Sequence, residues 1–178
     1  MKYARSILNR NWKSDKPYNI DSVEDVQTTD SGELSVWVYD ENTKNKAALA
    51  IVMTRKLLTD VYMVIFDDTT KRGTINIVSQ DGNSKWREVK NDHVNLKLCH
   101  FDDVKWLMTY MWDEVTNGKV VIVRSKKIKE YFKECVKNHS IGQETINYIH
   151  EHKDEVSCSY WEQLLQEELN IIQEEANK

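Results

Sequence analysis

The chain has 178 residues, of which 40% are hydrophobic and 30% are charged, with five glycines and one proline. This composition excludes a disordered or fibrous protein, and the length predicts one domain over residues 1–178 with a single core. The net charge of −4 argues against general affinity for nucleic acid, because such affinity comes mainly from basic side chains on phosphates.

The first third of the chain alternates between polar segments and strand-like segments. Residues 1–33 are polar and turn-rich, which predicts an irregular lead-in with room for one short strand. Residues 34–39 alternate as a strand should, with Leu34 and Val36 on one face and Trp37 on the other. Residues 43–58 predict a helix from their alanines and apolar spacing. Residues 61–66 are continuously apolar, which indicates a central strand covered on both faces.

A hairpin is the next predicted element. Residues 74–78 and 85–89 flank a turn-prone stretch at residues 79–84, and this pattern is typical of two antiparallel strands. Residues 94–98 alternate between apolar and polar side chains and predict the following strand. We therefore expect residues 34–99 to be the sheet-rich part of the domain.

Residues 100–178 predict a mainly helical part. A helix capped by Asp102 or Asp103 ends near Gly118, and a short buried strand follows within residues 119–124. Ser125 caps the next helix, and two more helices cover residues 142–151 and 157–175. The fold prediction is α+β, with a mixed but mostly antiparallel sheet in the N-terminal two-thirds and helices concentrated in the C-terminal third.

Charge is unevenly distributed along this second half. Residues 124–137 contain six basic and two acidic residues, whereas residues 140–178 contain nine acidic and two basic ones. Because a helix N-terminus favours anions, the start of the basic helix is a candidate site for a phosphate, a nucleic-acid strand or an acidic protein. The alternative is a solvated helix face. The candidate basic residues are Arg124, Lys126, Lys127, Lys129 and Lys133.

Acidic residues and histidines at predicted strand ends form a second candidate site, for a divalent metal ion and phosphodiester hydrolysis. The alternative is that these side chains belong to solvated turns and helix caps, which the sequence favours. We therefore predict no metal site and no cofactor. The residues in question are Asp67, Asp68, Asp92, His93, His100, Asp102 and Asp103.

The cysteines and tryptophans complete the candidates. Cys99, Cys135 and Cys158 are odd in number and form no CxxC pair, so we expect reduced thiols that pack as small apolar residues. Six tryptophans are many for this length, and Trp86 in its polar setting is a candidate interface residue.

The apolar runs are too short for a signal peptide or for the ~20 residues of a membrane helix, which predicts a cytoplasmic protein that does not enter a membrane.

Recognised motifs for hydrolases, NTPases and zinc proteases are missing from the sequence. We therefore predict a non-enzymatic protein that binds another macromolecule, with a protein as the expected partner and the acidic C-terminal helices or the aromatic surface as the contact. Small acidic inhibitors and immunity-type proteins share this size and composition. A homodimer through the last helix would use the same apolar stripe. The alternatives are a metal-dependent phosphodiesterase or nuclease and a nucleic-acid-binding regulator that uses the basic helix.

Overall fold

A computed structural model describes residues 1–13, 15–16, 18–26, 32–67, 73–79, 84–98 and 100–177. Within these residues the segments rich in β-branched and aromatic side chains form six strands, as their pleated-surface preference predicts. The strands are β1 Lys2–Ile7, β2 Glu33–Tyr39, β3 Val61–Asp67, β4 Asn76–Ser79, β5 His93–Lys97 and β6 Val121–Val123. They form one sheet in the order β4-β5-β2-β1-β3-β6.

Six α-helices surround this sheet in the described part of the chain, and four of them follow residue 100. They are α1 Ile20–Asp25, α2 Lys44–Val52, α3 Phe101–Thr116, α4 Ser125–Lys137, α5 Gln143–Glu151 and α6 Val156–Ala176. Short 3₁₀ helices lie at Asn9–Trp12, Glu41–Thr43 and Arg87–Asp92. The predicted α+β class and the concentration of helices toward the C-terminus are confirmed.

Every adjacent pair of strands is antiparallel, so the sheet is not mixed. The prediction of an irregular segment over residues 1–33 underestimated its strand. That strand is β1, which lies in the interior of the sheet between β2 and β3. The strand was difficult to predict because Arg5, a charged residue, occupies a core-facing position between Tyr3 and Ile7.

The predicted hairpin was also wrong. β4 pairs with β5, from Asn76 opposite Lys97 to Ser79 opposite Val94, and residues 87–92 form a 3₁₀ helix instead of a strand. The buried residues of that segment, Trp86 and Val89, are therefore three positions apart on a helical turn. Strand β6 lies at the edge of the sheet, and its Ile122 is 42% exposed, so the prediction of a buried strand was wrong there.

Two hydrophobic clusters cover the two faces of the sheet, because successive side chains of a strand point to opposite faces. In β3, Val64 and Phe66 belong to one cluster while Val61 and Met63 belong to the other, which confirms the prediction of a strand covered on both sides. Helix α3 packs in the first of these clusters. The second contains buried residues of α2, α4, α5 and α6.

Helix ends follow ordinary capping rules. Gly118 adopts a positive φ of 70° just after α3, the left-handed conformation that closes many helices and that glycine adopts without strain. The sequence prediction for this helix end is therefore confirmed. Helix α2 ends at Val52, six residues before the predicted end, and its last six residues are all buried.

Candidate binding sites

The N-terminus of α4 was predicted to attract an external anion, but a carboxylate of the chain itself lies there. Ser125 donates its backbone N–H to Oδ1 of Asp60 at 2.8 Å, and Arg124 donates from Nη1 to Oδ2 at 2.8 Å. These two hydrogen bonds, the backbone one first, lower the pKa of Asp60 because both favour its ionised form. Asp60 thus occupies the position expected for a phosphate, and the prediction of an open anion site at this helix end was wrong.

Three other basic residues of α4 also contact carboxylates. Lys127 pairs with Glu130 at 2.7 Å on the same helix. Lys133 and Lys137 each place Nζ 3.3 Å from a carboxylate oxygen of Glu168 on α6. The side chain of Glu168 is only 3% exposed while both lysines reach the solvent, so this ion cluster joins two helices around a buried carboxylate.

The opposite charges of the two chain segments therefore partly neutralise each other. Lys126 remains exposed and Lys129 is partly buried, so the predicted basic residues do not surround one open site. The apolar stripe of α6 is likewise used within the chain: Trp161, Leu164 and Leu165 are buried in the core. The first half of the stripe that was expected to form a homodimer is thus used within the chain, whereas Leu169 and Ile172 are only partly buried and Ala176 is exposed, so the homodimer stays a prediction.

Trp86 is a core residue, contrary to its prediction as an interface residue. It is 2% exposed, it donates its indole N–H to the carbonyl oxygen of Ser140 at 3.1 Å, and its ring meets that of Tyr131 edge-on. The indole links the segment after β4 to the segment between α4 and α5. Its polar sequence neighbours gave no sign of this burial.

The described acidic residues and histidines that were considered for a metal site do not converge on one point. Asp67 on β3 and His93 on β5 are separated by two strands, or about 14 Å at the usual spacing. Asp92 pairs with Lys46 at 2.6 Å, and Asp103 accepts the backbone N–H of His100 at the start of α3.

Asp68 lies outside the described residues. Among the residues that are described, no group of three or more His, Cys, Asp or Glu side chains is arranged to hold a metal ion. The phosphodiesterase hypothesis therefore has no candidate metal centre in this part of the chain.

Two cysteines are free and buried, as the sequence predicted for all three, and Cys99 is outside the described residues. Burial raises the pKa of the Cys135 thiol and of the Cys158 thiol, because a thiolate loses solvation in an apolar setting. These two thiols pack as apolar groups.

Sequence reasoning missed a polar cleft where strands β1 and β2 separate. Pairing of β1 with β2 runs only from Lys2–Tyr39 to Ala4–Trp37, whereas β1 continues along β3 as far as Ile7. A cavity of about 280 Å³ lies at this separation. It is lined by Arg5, Ser6, Ser35, Trp37, Ile51, Thr54, Arg55 and His93.

Two guanidinium groups dominate this cleft. Arg5 bridges the separated strands by donating Nη1 to the carbonyl oxygen of Ser35 at 2.8 Å and Nε to that of Asp25 at 3.0 Å. Arg55 donates Nη2 to the hydroxyl of Ser6 and Nη1 to the hydroxyl of Thr59. The one sequence signal for this cleft is the charged Arg5 between Tyr3 and Ile7 on a core-facing register.

An aromatic surface lies on the opposite side of the sheet, at the start of α3. Phe101 is 82% exposed, and it borders an apolar hollow of about 270 Å³ together with Tyr18, Val104, Lys105 and Met108. Tyr18 is held in place by a 2.7 Å hydrogen bond between its hydroxyl and that of Thr109. We call these five lining residues the Phe101 patch.

In comparisons with known proteins, no protein-family model, no curated protein and no solved structure matches the chain. Within the described ranges, no helix is both long and apolar enough to cross a membrane.

Proposed function

We propose that this protein is a non-enzymatic binding protein that contacts another protein through the Phe101 patch. The observation that supports this proposal is the 82% exposure of Phe101 beside an apolar hollow. A large aromatic side chain in water is costly, and burying it contributes roughly 1.5–3 kcal/mol. Aromatic side chains next to apolar pockets are typical of the residues that dominate protein interfaces.

The patch has the make-up of an interface centre. Val104 and Met108 lie one turn and two turns after Phe101, so the three side chains follow one helix face. Asp102 and Lys105 flank them with opposite charges, as in the polar rim of many interfaces. The expected partner therefore presents an apolar side chain or groove with a mixed-charge border. Inhibition of that partner is one form that such binding can take.

The acidic surface of α5 and α6 is a weaker candidate for the same role. Several of its carboxylates already have partners within the chain: Glu144 lies near Arg87, Glu162 near His150, and Glu167 accepts a hydrogen bond from Gln163. Exposed charge of this kind changes association rates more than affinity.

Substitution of Phe101 tests the proposal. Affinity capture from the native cell, with the wild type and Phe101→Ser, is expected to lose its main protein partner in the variant. Leu57→Ser is the matched control, because Leu57 is another large apolar side chain, 62% exposed, outside the patch. Equal capture by all three proteins would refute the patch as the contact. Sedimentation of the purified protein shows separately whether the partner is a second copy, and a dimer that dissociates in Phe101→Ser would identify it as such.

A nucleic-acid-binding role is the second candidate, and a specific concavity favours it. Arg10, Lys13 and Arg55 line an open cavity of about 680 Å³ whose wall includes Tyr62, and the hydroxyl of Tyr62 lies 3.4 Å from Nη1 of Arg124. Retardation of single-stranded DNA or RNA in a native gel at low salt tests this role, with Lys13→Gln expected to weaken it. A wild-type protein that retards neither would eliminate it.

The metal-dependent phosphodiesterase hypothesis predicts that a divalent ion stabilises the folded state. We expect Mg²⁺ and Mn²⁺ to leave the melting temperature unchanged, because Asp67, His93 and Asp103 lie too far apart to share an ion. A reproducible rise with either ion would revive the hypothesis. The cytoplasm remains the proposed location, in keeping with the buried free thiols of Cys135 and Cys158, and fractionation of cells that express the tagged protein tests it.

A further inference from the structure

We propose that the cleft between β1 and β2 binds a small oxyanion, the phosphate or carboxylate group of a small molecule, through Arg5 and Arg55. This site lies on other elements than the Phe101 patch, and it does not depend on the proposed protein contact.

The first argument is the separation of the strands. Beyond Ala4 and Trp37, β1 pairs with β3 and β2 pairs with β5, so the two central strands no longer bond to each other. In a continuous sheet this space would be closed by backbone hydrogen bonds. Here the Arg5 side chain takes over one of them by donating to the Ser35 carbonyl, which leaves an opening beside a rigid frame.

The second argument is the number of free donors. A guanidinium carries five N–H groups in a planar fork that matches the oxygens of phosphate or carboxylate. Arg5 uses three on the carbonyl oxygens of Asp25 and Ser35, and Arg55 uses three on Ser6, Thr59 and Asp60. Two N–H groups on each arginine thus have no acceptor within the described part of the chain.

The third argument is charge. Two cations line this half-open cleft, and among the described residues the carboxylate of Asp25 is the negative charge that acts on both. That carboxylate already accepts the indole N–H of Trp12 at 2.6 Å and the backbone N–H of Leu8. Burial lowers the pKa of Arg5 to about 10 and lowers that of Arg55, which reflects charges that have lost water. An oxyanion in the cleft would supply the missing counter-charge.

The size and wall of the cleft favour a small ligand over a polymer. Its volume of about 280 Å³ is at the lower limit of ordinary small-molecule pockets. The hydroxyls of Ser6 and Thr54 add polar contacts at its edge. The rings of Trp37 and His93, with centroids 4.9 Å apart, form a wall for the uncharged part of the ligand.

Ligand titration of the full chain tests the proposal. We expect sodium phosphate or sodium acetate to raise the melting temperature more than sodium chloride at equal ionic strength, and a rise that saturates with concentration identifies the class of oxyanion, because the general stabilising effect of a salt does not saturate. In ¹H–¹⁵N spectra of the wild type, the Nε–H signals of Arg5 and Arg55 should shift with the same salt. These spectra need no variant, so they detect binding even if a substitution at Arg5 prevents folding.

Two variants locate the effect. Arg55→Gln should weaken the affinity at least about tenfold, because it removes the charge and the fork at the mouth of the cleft. Lys126→Gln removes one positive charge from an exposed position on α4 and should bind as the wild type does. Equal effects of all salts, or unchanged binding by Arg55→Gln, would overturn the proposal. Binding of a single-stranded oligonucleotide with no response to phosphate or acetate would overturn it in favour of the nucleic-acid role.

Discussion

In the ion cluster of Lys133, Lys137 and Glu168, we predict that removing the lysines destabilises the protein more than removing the carboxylate. Both lysine side chains keep substantial exposure, 30% and 50%, whereas that of Glu168 is 3% exposed. The lysines can therefore return to water when the carboxylate is removed, but the carboxylate cannot when the lysines are removed. The decrease in the free energy of unfolding should therefore depend on which partner is removed.

Magnitudes follow from this difference in exposure. Glu168→Gln should reduce the free energy of unfolding by about 1 kcal/mol, the usual value of a hydrogen bond whose partner can be resolvated. Lys133→Met with Lys137→Met keeps most of the apolar stems but leaves a buried, unpaired charge, which costs roughly 3–5 kcal/mol. Adding Glu168→Leu to that pair should restore stability to within about 1 kcal/mol of the wild type, because an apolar replacement of the whole cluster no longer buries a charge.

Urea unfolding followed by circular dichroism measures all three variants. The slope against urea must stay constant, so that midpoint shifts report stability. A double lysine variant that loses no more than Glu168→Gln would refute the reasoning, since the carboxylate would then not depend on the lysines. Failure of the triple variant to recover would show that Glu168 is needed for packing and not only as a counter-charge.

Three further predictions concern single groups. Asp60→Ala should cost about 1 kcal/mol at pH 7 through loss of the α4 cap. Because the folded-state pKa of Asp60 is lowered, this stabilisation is complete above the unfolded value of 3.8 and is lost as the pH falls through the lower folded-state pKa, so denaturation midpoints of the two proteins should converge in acid. Trp86→Phe should cost about 2 kcal/mol in urea unfolding, from the lost bond to Ser140 and the smaller ring, and an unchanged midpoint would contradict its burial. Cys135 and Cys158 should react with an aromatic disulfide reagent at pH 8 only on unfolding, measured in a Cys99→Ser background, because burial raises both thiol pKa values; fast labelling of the folded protein would contradict this.

Local patterns predicted much of the fold. The alternation of β2 placed Leu34 and Val36 on one face and Trp37 on the other, and the two clusters confirm it. The continuous apolar run of β3 correctly indicated cover on both faces. These predictions succeeded because periodicity reports burial directly. β1 was underestimated because Arg5 and Ser6 interrupt its apolar pattern, and they do so where the strand borders the cleft.

Binding sites were predicted less well than helices and strands, because the residues that form a site are far apart in the sequence. The start of α4 was predicted to within one residue, since Ser125 is its first residue and not its cap, but the group that fills its anion position is Asp60, 65 residues earlier. Nothing local to the helix reveals such a partner. The cleft is similar, since Arg5 and Arg55 are 50 residues apart and meet only through the sheet and the end of α2. Trp86 was misjudged because its neighbours are polar while its ring contacts a distant helix.

Helix α5 is capped in the same manner as α4, by Glu88, which accepts the backbone N–H of Thr145 at 3.2 Å and also its hydroxyl. Gly142 leaves room for this carboxylate, since a Cβ there would lie 2.6 Å from Glu88 Oε1. In both helices the first turn is thus capped by a carboxylate that lies more than 50 positions earlier in the chain. A fragment of the C-terminal half would lack both carboxylates, so it should fray at these two turns. The full stability of those two helix ends therefore depends on contacts with the earlier part of the chain.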